Sequence, residues 1–208
     1  AFDLPGTTVG VGGWGANVFA WGLAPDGRPR MARWTGAGFD AVTSPGFVSR
    51  LDGVGELGFA VGRGGLVARW EAGRWIRMDP PTGAVLTDVA VRSEREAFAV
   101  GLDGAFVLGS VHGWTVAAHH DAPLLAVGAT AETVWVGADH PSSLMVWDGA
   151  ALEVVHRGFD VRGVEARGAG TLMTTTSDLL ELRGREIHAG LQADAFAAAI
   201  AHVPVEAT

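Results

Sequence analysis

The chain has 208 residues, with 15 Lys and Arg against 23 Asp and Glu, a net charge of −8 and 48% hydrophobic residues. That is enough apolar material for one well-buried domain, and the acidic balance argues against nucleic acid or an anionic membrane surface, which want a basic face. Cysteine is absent, which excludes disulfides, thiolate metal sites and thiol nucleophiles, and no apolar run approaches the roughly 20 residues of a membrane-spanning helix.

The first predicted strand covers residues 8–12, and the second is Val18-Phe19-Ala20-Trp21-Gly22. Asp26-Gly27 then supplies a tight hairpin, because both residue types tolerate positive φ. Strands at 31–34 and 39–43 follow, separated by a turn at Gly36. The order then repeats. First strands recur at 47–51, 85–91, 124–129 and 161–166. Second strands recur as Gly58-Phe59-Ala60-Val61-Gly62, Ala97-Phe98-Ala99-Val100-Gly101, Thr133-Val134-Trp135-Val136-Gly137 and a worn copy, Thr171-Leu172-Met173-Thr174-Thr175. Their last residues are spaced by 40, 39, 36 and 38 positions. Third strands at 66–70, 105–110, 144–147 and 179–182 and fourth strands at 75–78, 114–118, 152–156 and 186–189 complete each unit.

A four-strand unit at a period near 40 residues is the mark of a β-propeller. Runs such as Val18-Phe19-Ala20-Trp21 are apolar at consecutive positions, so both faces of the strand need cover, which stacked blades provide. A sandwich of irregular hairpins is the alternative, but it leaves the fixed register of the copies unexplained. The expected fold is therefore all-β, a five-bladed propeller over residues 1–190 with antiparallel blades at about 7–45, 46–81, 82–122, 123–158 and 159–190. Residues 191–208 break the pattern. Their Ala-rich centre, with Phe196 and Ile200 four apart and Pro204 beyond, predicts a short helix packed on the propeller, where it would help to join the last blade to the first; the start of a connection to a further domain is the alternative.

Leu66-Val67-Ala68-Arg69-Trp70 followed by Gly73-Arg74-Trp75, and Phe98-Ala99-Val100-Gly101 with its downstream glycine turn, resemble the degenerate Trp/Gly propeller repeats of bacterial surface and multidomain proteins. Their layout is similar to kelch-type and BNR-like blades. The resemblance covers nearly the whole chain at the level of the repeat, implies a propeller, and carries no functional residue. The Asp-box of sialidases is missing, and Trp147-Asp148 is a single Trp-Asp pair without the rest of a WD40 repeat.

In a propeller, the turn between second and third strands shares a face with the links between blades. That face is expected to gather Asp103, His119, His120, Asp121, Asp139 and His140. Within it, His119-His120-Asp121 offers two imidazoles and a carboxylate that would suit a divalent cation, with Asp103 or His140 completing the set. Against this, neighbours on a strand point to opposite sides, and Asp121 before Ala-Pro is an ordinary turn signal; whether a metal is bound stays open. The opposite face is expected to hold Trp14, Asp52, Glu56, Glu94, Arg95, Glu96 and Glu132, with Glu71, His112, Asp148 and Arg183. Trp34, Trp70 and Trp147 share one repeat position and Trp75 and Trp114 another, which reads as blade packing. Trp14, among Gly12, Gly13 and Gly15 and outside those positions, is the expected exposed aromatic.

The candidate ligand-binding set is thus Trp14, Asp103, His119, His120, Asp121, Asp139 and His140, with no catalytic residue assigned and no cofactor expected. The expected function is a non-catalytic interaction module that engages a protein or peptide partner on one face, within a larger bacterial protein or system. A carbohydrate-binding propeller is one alternative. A hydrolase working through the His/Asp face, with recurring carboxylates as acid and base and possible metal assistance, is the other. The expected protein is soluble, with nothing in the sequence to choose between cytoplasm and secretion.

Overall fold

Among the described residues, short apolar runs, punctuated by turns bearing Gly and Asp, fold into twenty strands grouped in chain order into five four-stranded antiparallel sheets. The computed structural model describes residues 6–167, 170–175, 178–183 and 186–188. Blade 1 comprises β1 (Thr7–Trp14), β2 (Asn17–Leu23), β3 (Pro29–Trp34) and β4 (Phe39–Val42). Blade 2 comprises β5 (Val48–Val54), β6 (Leu57–Gly62), β7 (Val67–Glu71) and β8 (Arg74–Arg77), with a single 3-10 turn at Arg63–Gly65. Blade 3 comprises β9 (Leu86–Ser93), β10 (Glu96–Gly101), β11 (Ala105–Ser110) and β12 (Gly113–His119). Blade 4 comprises β13 (Leu124–Ala129), β14 (Val134–Ala138), β15 (Ser143–Trp147) and β16 (Leu152–Arg157). Blade 5 comprises β17 (Val161–Arg167), β18 (Gly170–Thr175), β19 (Leu179–Arg183) and β20 (Glu186–His188). The all-β, five-bladed architecture expected from the repeat is the one found. The helix predicted near 194–202 lies outside the described residues.

The first strand of each blade is innermost, and residues from β1, β5, β9, β13 and β17 all line one central cavity. Each of these strands has a β-bulge at the same place. Thr8 pairs with Gly22 and Gly10 with Trp21, skipping Val9; Ser49, Thr87, Leu125 and Arg162 are skipped in the same way. A bulge bends and twists its strand, which re-aims the inner strand at the axis. It also aligns the blades independently of sequence, through Gly22, Gly62, Gly101, Ala138 and Thr175. The intervals are therefore 40, 39, 37 and 37, and the fourth copy is one residue out of the register suggested by its glycine. Gly137 is glycine for another reason: a Cβ there would lie 2.5 Å from Cγ1 of Val161 in the next blade.

Blade stacking buries the second strands on both sides. Every residue of β6 and β14 is buried, whereas the outer strands β4 and β8 keep exposed positions. Among the described residues, four apolar interfaces join successive blades. Phe19, Trp21 and Met31 of blade 1 meet Leu51, Ala60 and Trp70 of blade 2. Phe59 and Val61 then meet Leu86, Val89 and Trp114 of blade 3. Phe98 and Phe106 meet Leu124, Val127 and Met145 of blade 4. Trp135 and Leu144 meet Val161, Val164 and Met173 of blade 5. Each fully buried Phe, Leu or Val in these layers contributes about 1.5–3 kcal/mol relative to an exposed one.

Neighbouring inner strands do not pair as ladders, so their backbone groups near the axis need other partners. Polar side chains supply them. Asp52 accepts the Val91 amide at 2.7 Å, and Asp88 accepts those of Val89 and Val127, each at 2.9 Å. The Thr87 hydroxyl lies within reach of two carbonyls, at 2.8 Å from Leu124 and 3.0 Å from Val100. Asp52, Asp88 and Thr87 thus connect each of these blades to the next, at depths where an unmet amide or carbonyl is costly.

Candidate binding site

Hydrogen bonds fix which loops share a face. The β2–β3-type turn of each central blade is tied to a link between blades: Arg63 donates to Phe47 O at 3.0 Å, His120 to Gly104 O at 2.9 Å, and Asp139 to Pro123 O at 3.0 Å. The face assignment made from the repeat therefore holds for Asp103, His119, His120, Asp121, Asp139 and His140.

On that face Asp103 and His120 are occupied with local backbone. The exposed Asp103 closes its own turn by accepting the Ala105 amide at 3.2 Å, and takes the Thr82 hydroxyl of the preceding link at 2.9 Å. His120 Nδ1 accepts the Ala122 amide at 3.1 Å, holding the link into blade 4. His119 ends β12 opposite Ala105 and is exposed, as is Asp121. Asp139 Oδ1 lies 2.7 Å from Nδ1 of the exposed His140. Among the described residues, no three His, Asp or Glu side chains are grouped so as to hold a metal ion. The His119-His120-Asp121 run is drawn out along a strand end and a turn, as adjacent residues on extended backbone must be.

Trp14 corrects an expectation. It is 4% exposed and wedged between blades 1 and 2, where its Nε1–H donates to Gly55 O at 3.1 Å and its ring stacks 5.6 Å from Phe19. The slot it fills is made by glycines of blade 2: a Cβ on Gly58 would lie 2.1 Å from the indole Cη2, and one on Gly53 2.5 Å from Cδ2. The local glycines around Trp14 suggest an open loop, and only the apposition of a distant strand shows a socket.

The axis carries charge that no sequence motif marks. Arg50 of β5 pairs with Asp88 of β9 at 3.3 Å and with Glu165 of β17, joining blades 2, 3 and 5. Burial pushes the Asp88 carboxyl up from 3.8 to about 7, while Arg50 and the amides of Val127 and Val89 pull the other way. The surrounding cavity is about 480 Å³. Its one signal in the sequence is an aspartate inside the apolar run Leu86-Thr87-Asp88-Val89.

Among the described residues, grooves open between blades 1 and 2 and between blades 2 and 3. The first, about 300 Å³, lies between blades 1 and 2 on the His/Asp face, with Leu23, Phe47 and Val48 beside Arg30 and Arg63; the Arg63 guanidinium sits 5.5 Å over the Phe47 ring. The second, about 590 Å³, lies on the opposite face between blades 2 and 3. Its floor includes Leu57 and Trp70, and its walls are four turns carrying Glu56, Glu71, Glu94, Arg95 and His112. Two arginines brace it from within: Arg69 donates to Glu71 at 2.7 Å and to Val111 O at 3.0 Å, and Arg33 donates to Asn17 at 2.8 Å while covering Trp70 at 5.5 Å. The repeat places these wall residues on one face, but their convergence on a trough depends on how blades 2 and 3 splay.

No protein-family model matches this sequence, and neither does any curated protein. The fold does match solved structures. The WD40 β-propeller domain of Doa1 aligns with a TM-score of 0.67 at 11% identity, over 85% of this chain and 63% of that one. The designed protein Ika8 aligns at 0.62 and 14% identity, over 85% and 58%. YCF48 bound to D1 peptide aligns at 0.61 and 15% identity, over 88% and 66%. This chain thus spans 58–66% of the length of those structures, and at such identities the likeness establishes a β-propeller fold and nothing finer.

Proposed function

We propose that this propeller is a non-catalytic interaction module that takes an extended segment of a protein or peptide partner into the groove between blades 2 and 3. The observation that carries the reading is the groove itself: an open trough of about 590 Å³ with an apolar floor at Leu57 and Trp70 and ionic walls of both signs. Such a trough suits a peptide that places an apolar side chain on the floor and polar groups against the rim, since anchors in pockets supply most of the affinity and the rim sets orientation. Arg33 and Arg69 are already held by Asn17 and Glu71, so the floor is preorganised and little side-chain entropy is lost on binding. YCF48, one of the structural neighbours, is a propeller seen with a peptide bound. The Trp/Gly repeat layout, with its likeness to kelch-type and BNR-like blades, is consistent with a module inside a larger bacterial system.

Selection of a displayed random-peptide library on the protein tests this. Peptides sharing a motif should emerge and bind the Glu56→Arg/Glu94→Arg variant at least about tenfold more weakly, a loss of about 1.4 kcal/mol. A Thr115→Arg variant on the exposed outer strand of blade 3 should bind as the parent does. Peptides that bind both variants equally would refute the groove, and a glycan array that enriches ligands where peptides do not would favour the carbohydrate reading.

A further inference from the structure

Equivalent positions in the five blades are not equally covered. The residue after the bulge that faces the preceding blade is Val11, Leu51, Val89, Val127 and Val164 in turn, matched through their partners Ala20, Ala60, Ala99, Val136 and Met173. In blades 2 to 5 it is 4%, 3%, 2% and 3% exposed; in blade 1 it is 62% exposed. Val9 beside it is also exposed, and so is Thr8, the counterpart of the buried Val48, Leu86, Leu124 and Val161. Ala20 and Ala32, further out on the same face of blade 1, are buried, so the opening is confined to the inner strand. Across it lies Leu172 of β18, itself exposed, and Val11 and Leu172 line the same cavity as the axis. Among the described residues, the four apolar interfaces join blades 1 to 5 in succession, and this opening stands where a fifth would join blade 5 to blade 1.

We propose that residues 189–208 dock in this opening, placing apolar side chains against Val11, Val9 and Leu172 and so joining blade 5 to blade 1. Three observations select this occupant over a second copy or a foreign chain. The segment starts directly after β20, on the blade that borders the opening. Its 20 residues could extend up to roughly 70 Å, more than the reach required across one blade. Its composition also calls for burial: Leu191, Phe196, Ile200, Val203 and Val205 stand among alanines, with Asp194 and Glu206 as the only charged residues. Such a stretch is poorly suited to remain solvated. Tethering it beside its target gives an effective concentration in the millimolar range, which a separate chain does not have.

The absence of native cysteine makes the test direct. Val11→Cys is placed in the full chain, and its rate of maleimide labelling is compared with that of Thr115→Cys on the exposed strand β12. Docking predicts that the Val11→Cys thiol labels at least about tenfold more slowly than the control, at any protein concentration. Adding Phe196→Asp and Ile200→Asp should restore the control rate while the far-ultraviolet circular dichroism stays that of a folded β protein. Equal labelling at the two sites in the parent chain would overturn the proposal. Protection that survives the Phe196→Asp/Ile200→Asp change would also overturn it, and protection that grows with protein concentration would assign the site to a second copy instead.

Discussion

The socket between Trp14 and Gly58 offers a sharp test of how blades 1 and 2 are joined. Gly58 does not have a positive φ, so an alanine there meets no backbone strain; the three atoms nearest the added methyl all belong to the indole, at 2.1, 2.2 and 2.7 Å from Cη2, Cζ2 and Cζ3. No Cβ sits that close to another heavy atom, so the ring or the strand must move, and overpacking of this kind costs about 1–3 kcal/mol. Trp14→Ala removes the indole, its bond to Gly55 and its stack on Phe19, and should cost about 3–5 kcal/mol. In the Trp14→Ala background the Gly58 methyl grows into the space the indole leaves. Gly58→Ala should then be neutral or stabilising by about 0.4–1 kcal/mol, through lower chain entropy in the unfolded state. The double-mutant cycle should therefore show a coupling of at least about 1 kcal/mol. Urea titrations of the four proteins, followed by circular dichroism because Trp14 is itself a fluorophore, measure each term. For a chain of this size, 1 kcal/mol also moves Tm by about 2–4 °C. If Gly58→Ala costs the same with and without the indole, the wedge between the blades is not there.

The axial carboxyl predicts a pH dependence. Because Asp88 is raised to about 7 in the folded protein, the native state holds its proton more tightly than the unfolded chain between the ordinary carboxylate value and about 7. The contribution of this group to stability is thus full below its ordinary value of 3.8 and lost as pH rises to about 7, and Asp88→Asn should flatten a urea-midpoint profile between those two values. A variant profile with the parent slope would reject the assignment. Arg50→Ala removes the strongest influence holding Asp88 down, so the Asp88 carboxyl resonance should titrate at still higher pH, and an unmoved or lowered midpoint would show that the pair does not form. Gly104→Ala should destabilise by more than about 2 kcal/mol, since φ is +83 and a Cβ would lie 1.9 Å from His120 O; a change within about 0.5 kcal/mol would refute the link geometry. Thr87→Val should cost about 1 kcal/mol by removing the hydroxyl that reaches Val100 and Leu124, and calorimetry reading no loss would discount that bridge.

The blade count and the two faces were legible in the sequence because they follow from short-range rules. Alternation, runs of apolar residues and Asp-Gly turns are local, and a unit repeated five times averages out local errors. Where a copy decayed, the rules slipped. Gly137 stands next to the position its repeat predicts because its smallness serves Val161 of the following blade, not the bulge of its own. The candidate polar set was legible as a face but not as a site. Asp103 and His120 are committed to the Thr82 hydroxyl and the amides of Ala105 and Ala122, bonds that depend on turn conformation rather than on residue type.

By itself the sequence determined an all-β chain of five four-stranded units with their turns sorted to two ends. Each of those features is set by contacts within about 40 residues, the span of one repeat. Tertiary structure alone decided the rest. It turned Trp14 from a loop aromatic into a wedge, brought Arg50, Asp88 and Glu165 from three blades to one axis, opened the trough between blades 2 and 3, and left Val11 uncovered where its four counterparts are buried. The physical reason is common to all four: each depends on how one blade sits against another, and interblade packing joins residues a full repeat or more apart through side-chain volume, which no local pattern encodes.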